Sequence, residues 1–338
     1  MALSPPRKIK IAALTGFFAI VTGSAIAHAQ STPALPARVF SPASFWYKPL
    51  PPDAPIHVNS EQFVREFLRQ KKSYYGTVSI NTLKYASPVY IADQTTQRVT
   101  VRPWDCQKKG YIDRNLSEQW KSVPIPSYAQ PADGTDSEMT VYDPAADTIW
   151  EFWVARKTDG AWEACWGGKM DRASGSSGIW PLPYGTTATG LPFLGGQLSI
   201  DELTNKKIDH VMGISLVDTE KWSIFSWPAN RSDGFNPKGE KDRIPEGIRF
   251  RLDPAVDVDN LKMHPVGKAI ARAAQVYGFV VWDKAGAITL RAENPKGVTS
   301  RGLPDPIRTI FGGTPAYAIL EGFPWDRLQF LPMDYGKP

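Results

Sequence analysis

The sequence predicts a mainly β fold, a sandwich of jelly-roll or concanavalin-like type with two or three short helices. Three observations lead there. Short apolar–polar alternations recur between turn signals, glycine (27) and proline (30) are plentiful, and 12 tryptophans supply broad aromatic surface. No internal repeat is visible, and no shift in composition divides residues 56–338, which read as a single catalytic or carbohydrate-binding domain.

Residues 1–29 read as a signal peptide: basic "PPRKIK", apolar "IAALTGFFAIVTG", then small-residue cleavage patterns in "SAIAHAQ". No later run reaches the roughly 18–20 apolar residues that cross a bilayer. The expected product is secreted, extracellular or periplasmic, with no stable membrane anchor once the signal is removed. Arg7, Lys8 and Lys10 belong to the signal; without them 36 basic residues face 34 acidic ones, and the charge falls from +5 to +2. That balance argues against a nucleic-acid partner. Residues 30–55, with "STPALPARVF", read as a proline-rich leader. Cleavage after Ala29 leaves Gln30 first; cleavage after Ala27 leaves His28, which could bind copper as in secreted polysaccharide oxygenases. An unstructured leader suits a rigid metal site poorly, so the reading carries no metal and no cofactor.

"HVNSEQFVREFLRQKKS" has helical periodicity, with Phe63, Phe67 and Leu68 on one face. "GTVSINTL", "SPVYIAD" and "QRVTVRPW" read as strands, and the stretch on to Gln130 as long loop. "EMTVYD", "TIWEFWVARK" and "AWEACWGGKM" read as a three-stranded meander joined at "PAAD" and "TDG". "GTTATGLPFLGG" reads as a crossover packed beneath sheets. "SIDELTNKK" carries a Ser199–Glu202 capping box. "IDHVMGISLVD", "WSIFSWPA" and "GIRFRLDP" read as strands. "HPVGKAIARAAQVYG" is a helix entered at His264 and Pro265 and closed by glycine. "FVVWDKAGAITLRAEN" reads as a hairpin in which Asp283 is a turn acid.

The chemistry-bearing residues are carboxylates beside aromatics. HExxH, P-loop, G-x-G-x-x-G and nucleophile-elbow signatures are missing from the sequence. In "TIWEFWVARK" strand alternation puts Trp150 and Phe152 on one face and Ile149, Glu151 and Trp153 on the other. Glu138 lies on the neighbouring strand. Glycoside hydrolysis needs an acid and a second carboxylate, so Glu151 and Glu138 are the catalytic candidates, with Trp153 and Trp166 as sugar platforms. His210, among Ile208, Met212 and Ile214, is an accessory group or, in a polysaccharide lyase, the base, with Arg231 or Arg249 on the uronate. Asn230, Arg231 and Asp233 follow a strand as substrate-binding candidates. A lectin-like module would show the same tryptophans without an essential acid. A structural ion at Asp233 or Asp143 has no supporting spacing. Cys106 and Cys165, the two cysteines, form one disulfide in an oxidising compartment, worth roughly 4 kcal/mol in the chain-entropy view; the other reading makes the thiol in "ACWGG" a nucleophile. The partner implied is a polysaccharide or oligosaccharide.

In order along the chain, "IWEFWVARK…WEACWGG", "GTTATGLPFLGG", "IDHVMGISL", "WPAN" and "AIARAAQVYGFVVWDKAG" resemble a family of secreted, largely uncharacterised bacterial proteins. Members carry forms such as "ATGLPLLAGL" and "IRHALRF". The resemblance covers roughly Glu138 to Ala292 and implies a carbohydrate-related β-sandwich without implying an activity. Trp150, Glu151, Gly190, Leu191, His210, Trp227, Pro228, Arg249 and Tyr277 match, and no catalytic role transfers to them. Asn230 and Arg231 stand where relatives have Arg-His.

Overall fold

The computed structural model describes residues 35–338, together with 1, 2 and 4. Apart from those three, the residues of the expected signal peptide, His28 among them, lie outside the described residues, as does Gln30, and the fold is that of residues 35–338. Its strands begin with β1 (Ser79–Asn81), β2 (Val89–Ile91), β3 (Arg98–Val99), β4 (Val101–Pro103) and β5 (Val123–Pro124). The densest β region holds β6 (Met139–Asp143), β7 (Thr148–Trp153), β8 (Arg156–Thr158), β9 (Ala161–Ala164) and β10 (Trp166–Asp171). The last five are β11 (Met212–Leu216), β12 (Arg249–Leu252), β13 (Phe279–Lys284), β14 (Thr289–Arg291) and β15 (Leu328–Phe330). Helices used below are α1 (Ser60–Ser73), α2 (Arg114–Gln119), α3 (Phe193–Gly196), α4 (Ile200–Asn205) and α5 (Pro265–Val276).

Two sheets dominate, one ordered β1-β14-β11-β13-β12-β15 and one ordered β10-β7-β6-β2. Parallel pairs β1–β14, β11–β13 and β2–β6 separate them from the wholly antiparallel jelly-roll or concanavalin-like arrangement expected. Alternation explains the layering. Met212, Ile214, Phe250, Phe279, Val281 and Leu290 face the helical side of the six-stranded sheet, where Phe63 and Phe67 of α1 and Val266 and Ile270 of α5 cover them. Val280 and Trp282 face the opposite way and meet Tyr142, Ile149 and Met170 of the four-stranded sheet. The far side of that second sheet, with Tyr90, Met139, Val141, Trp150 and Phe152, is closed by Leu116 of α2, Trp120, Val101 and Trp162. Both faces of β7 are therefore core, whereas the sequence assigned one of them to a groove.

Local signals held where the chemistry is local. α4 is closed at its start by the Ser199–Glu202 capping box, and the His264 side chain accepts the Val266 N–H where α5 begins. The expected three-stranded meander forms only in part. Val154 takes a left-handed φ of 51°, and the chain then leaves the β6–β7–β10 sheet to form a β8–β9 hairpin on β4. The expected hairpin of residues 279–294 is also corrected, since β11 lies between β13 and β14 and pairs with both. "WSIFSWPA" forms no strand, only a bridge from Phe225 to Glu246. The loop before Gln130 contains α2 and β5.

The leader expected at 30–55 also needs correction. From Val39 onward it is folded, with Phe40 and Phe45–Tyr47 buried between the two sheets. Trp46 Nε1 donates to Gly178 O at 2.8 Å, and its own carbonyl accepts the Val211 N–H at 2.8 Å. Four large aromatic side chains in "FSPASFWYKPL" outweigh the local effect of the prolines. Arg251 braces the next turn, donating to the carbonyls of Pro51 and Pro52. Cys106 and Cys165 are joined as a disulfide, which removes the nucleophilic-thiol reading. No helix among the described residues is long and apolar enough to cross a membrane.

Candidate functional site

Glu151 is fully buried. Its Oε1 accepts the Phe193 N–H at 2.6 Å, and its Oε2 accepts the Thr186 hydroxyl at 2.8 Å and Trp180 Nε1–H at 3.2 Å. Burial pushes its carboxyl up to about 7, against the pull of these donors. Gly168, opposite it on β10, leaves room for the Trp180 ring; a Cβ there would come within 3.2 Å of that ring. Glu151 thus ties the crossover of residues 180–193 onto the sheet and lines no groove. That corrects its assignment as a catalytic acid. Trp153 and Trp166 are cross-strand partners, and Trp166 stacks on Tyr184 at 6.0 Å.

Arg231 is also structural. Its Nε donates to Ala188 O at 3.1 Å, and its terminal nitrogens donate to the carbonyls of Tyr184 (2.9 Å), Gly185 (3.0 Å), Thr187 (2.7 Å) and Pro183. A guanidinium saturated by five carbonyls clamps the same crossover and has no donor left for a uronate. Asn230 Nδ2 donates to Trp180 O at 2.6 Å, the same function from the next residue. His210 Nδ1 lies 2.8 Å from Val211 O and its Nε2 3.1 Å from a Glu202 oxygen. Burial lowers its pKa, but the Glu202 carboxylate outweighs burial and the result is raised. With both ring nitrogens engaged, His210 holds α4 to β11 and is not poised to take a proton from a substrate. Arg249 is buried and donates to Tyr277 O at 3.1 Å.

The residues that do converge lie at one end of the layer between the sheets. Arg291 of β14, buried on the inter-sheet face, donates to Glu138 Oε1 at 3.0 Å and to Asp283 Oδ2 at 2.8 Å. Glu138 immediately precedes β6 of the four-stranded sheet, on the side where Thr140 and Glu151 point. Asp283 comes from β13 and reaches this layer because of a bulge. The β11–β13 register shifts between Ile214 and Ser215, so that Ser215 pairs with Asp283. Trp282 and Asp283 therefore both turn to the inter-sheet side, a common use of bulges beside sites. Arg291 also lies over the rings of Phe193 (5.0 Å) and Trp282 (5.7 Å).

Arg291 opens onto a cavity of about 410 Å³ that Tyr75, Tyr85, Asn81, Asp136 and Lys284 also line. Burial pushes Asp283 up to about 6, against the pull of Arg291 and with help from the charges of Asp233 and Asp136. Burial pushes Glu138 up to about 7, again opposed by Arg291. Asp233 is exposed, and its carbonyl accepts Lys284 Nζ–H at 3.2 Å, which keeps it at the rim. Of the residues singled out in the sequence, Glu138 and Asp233 are brought to this place; neither Trp153 nor Trp166 lines the cavity. Asp283, expected to be a turn acid, is instead paired within β13, and Arg291 and Asp136 are not among the candidates expected from the sequence. A signal for Arg291 existed: an arginine inside apolar "AITLRAEN" must find carboxylates once buried. Among the described residues no group of three or more His, Cys, Asp and Glu could hold a metal ion.

Comparison with protein-family models, with curated proteins and with solved structures found no match for this chain.

Proposed function

We propose that this chain is an exported carbohydrate-active protein that hydrolyses glycosidic bonds in the cavity before Arg291. The observation that carries the reading is Asp283, turned by the bulge onto Arg291 and held partly protonated near neutral pH, while Arg291 and Asp136 line the cavity itself. In this reading the Asp283 proton passes to the leaving oxygen as the glycosidic bond breaks. Asp136 acts as nucleophile or as base toward water, and the hydroxyl of water ends on the anomeric carbon. Arg291 and Glu138 are positioning residues, since Glu138 is buried behind the guanidinium. Tyr75 and Tyr85 offer ring faces to the sugar. Export is supported by the N-terminal pattern and by the Cys106–Cys165 disulfide. Two packed mixed sheets support a sandwich-like scaffold for such a site.

A second reading, a lectin-like binder without turnover, draws support from Arg291 itself. Its terminal nitrogens are already paired with Glu138 and Asp283, which suits a rigid wall as well as a reactive one. The test is mass spectrometry of soluble products after incubation with carboxymethylcellulose, xylan, glucomannan, polygalacturonate and alginate. Hydrolysis gives fragments heavier by one water, and a lyase would give unsaturated ends. Saturable binding with intact polymer would favour the binder.

A further inference from the structure

We infer that the cavity before Arg291 is one subsite of a longer groove, in which Phe235 and Trp222 form a second aromatic platform for an extended polysaccharide chain. This rests on the glycosidase reading of the cavity. The link is Lys284, which lines the cavity, donates to the Asp233 carbonyl and stands 6.0 Å from the centre of the Phe235 ring. Tyr75 and Tyr85 line the same cavity. A chain lying across it would pass from the tyrosines, over Arg291 and Asp136, to Lys284 and Phe235.

The arm is braced. Trp222 N–H donates to Gly234 O at 2.8 Å, so the two aromatic residues ride on paired backbone. Bridges Thr219–Ile244 and Phe225–Glu246 tie the loop at two further points. A Cβ on Gly234 would come within 1.9 Å of Glu220 O, so the two stretches of loop are in close contact. Yet Trp222 is 68% and Phe235 69% exposed. Rings held out on a fixed support beside a cavity are recognition surface more than packing. Their faces suit the C–H side of a pyranose, and the exposed Asp233 on the arm, whose carbonyl meets Lys284 at the cavity, accepts sugar hydroxyls. Lipid is the other chemistry that aromatic loops meet. Between Glu220 and Glu246, however, five basic residues are matched by five acidic ones, which gives no excess charge for an anionic headgroup surface.

The experiment uses the polymer of the panel that the full chain cleaves, together with oligosaccharides prepared from it. kcat/KM is measured against chain length for wild type, Phe235→Ala and Phe235→Ala/Trp222→Ala. In the wild type kcat/KM rises with length; the variants lose that gain, roughly tenfold for one aromatic contact, and keep the wild-type value on the shortest substrates. Equal kcat/KM at all lengths, or variants that retain the gain, would overturn the arm and leave the cavity reading standing. Failure to bind or cleave any saccharide of the panel would overturn both. Sedimentation with phosphatidylglycerol vesicles, abolished in the double variant, would overturn the arm by assigning it to a membrane.

Discussion

Two buried carboxylates show how environment divides roles between like residues. Glu151 has a donor on each oxygen and no open side, so its chemistry is spent inside the fold. Glu151→Gln places an amide N–H₂ against groups that are themselves donors, and the expected loss is about 1–3 kcal/mol of stability, read by urea denaturation, with turnover per folded molecule retained. Asp283 has Arg291 on one side and a partly open flank. In the proposed reaction it serves as an acid only while it keeps its proton, so kcat is expected to fall as pH rises through about 6, and the profile to shift or flatten in Asp283→Asn. The sequence placed the acid on Glu151 because alternation puts that residue beside Trp153. What alternation cannot report is that residues 180–193, some 30 positions on, cover that face.

At the scale of elements, local signals were legible and partnerships were not. The capping box of α4 and the proline at the start of α5 act within a few residues and are legible in the sequence. The hairpin of residues 279–294 does not form because β11, about 67 to 76 positions earlier, pairs with both β13 and β14. That intrusion sets the register in which Asp283 faces Arg291, so the site itself was out of reach of a local reading. The folding of segment 39–47 is not legible locally for a related reason: its aromatics are buried by strands from far along the chain. Trp46 is fully enclosed, and a Cβ on Gly195 would come within 2.3 Å of its ring. Trp46→Ala is expected to destabilise by about 3–5 kcal/mol, seen as a lower urea midpoint with an unchanged slope.

For the whole molecule, the polar layer between the sheets sets the response to pH. Glu138 and Glu151 are both pushed up to about 7 by burial, as is Glu293, while burial raises Glu246 as well. Between the ordinary glutamate range and these values the folded chain holds protons that the unfolded chain has released, so stability falls as pH rises. Asp218 and Asp253 have the opposite sign. Burial raises them, but arginine partners and hydrogen bonds prevail and lower them, so their contribution is lost as pH falls below the usual aspartate range. The two trends place the highest Tm at about pH 5, with a decline toward pH 8 that Glu151→Gln makes shallower. Scanning calorimetry across that range checks both arms.

On the proposed reading the Asp283–Arg291 pair behind the cavity, and not Glu151, carries the chemistry. The most direct measurement compares wild type, Asp283→Asn and Glu151→Gln for release of ¹⁸O-labelled reducing ends from the cleaved polymer in H₂¹⁸O, normalised to folded protein. Wild type and Glu151→Gln should turn over at similar rates, with Asp283→Asn slower by roughly 10²–10⁴-fold. Full activity in folded Asp283→Asn, with the loss in Glu151→Gln instead, would contradict it.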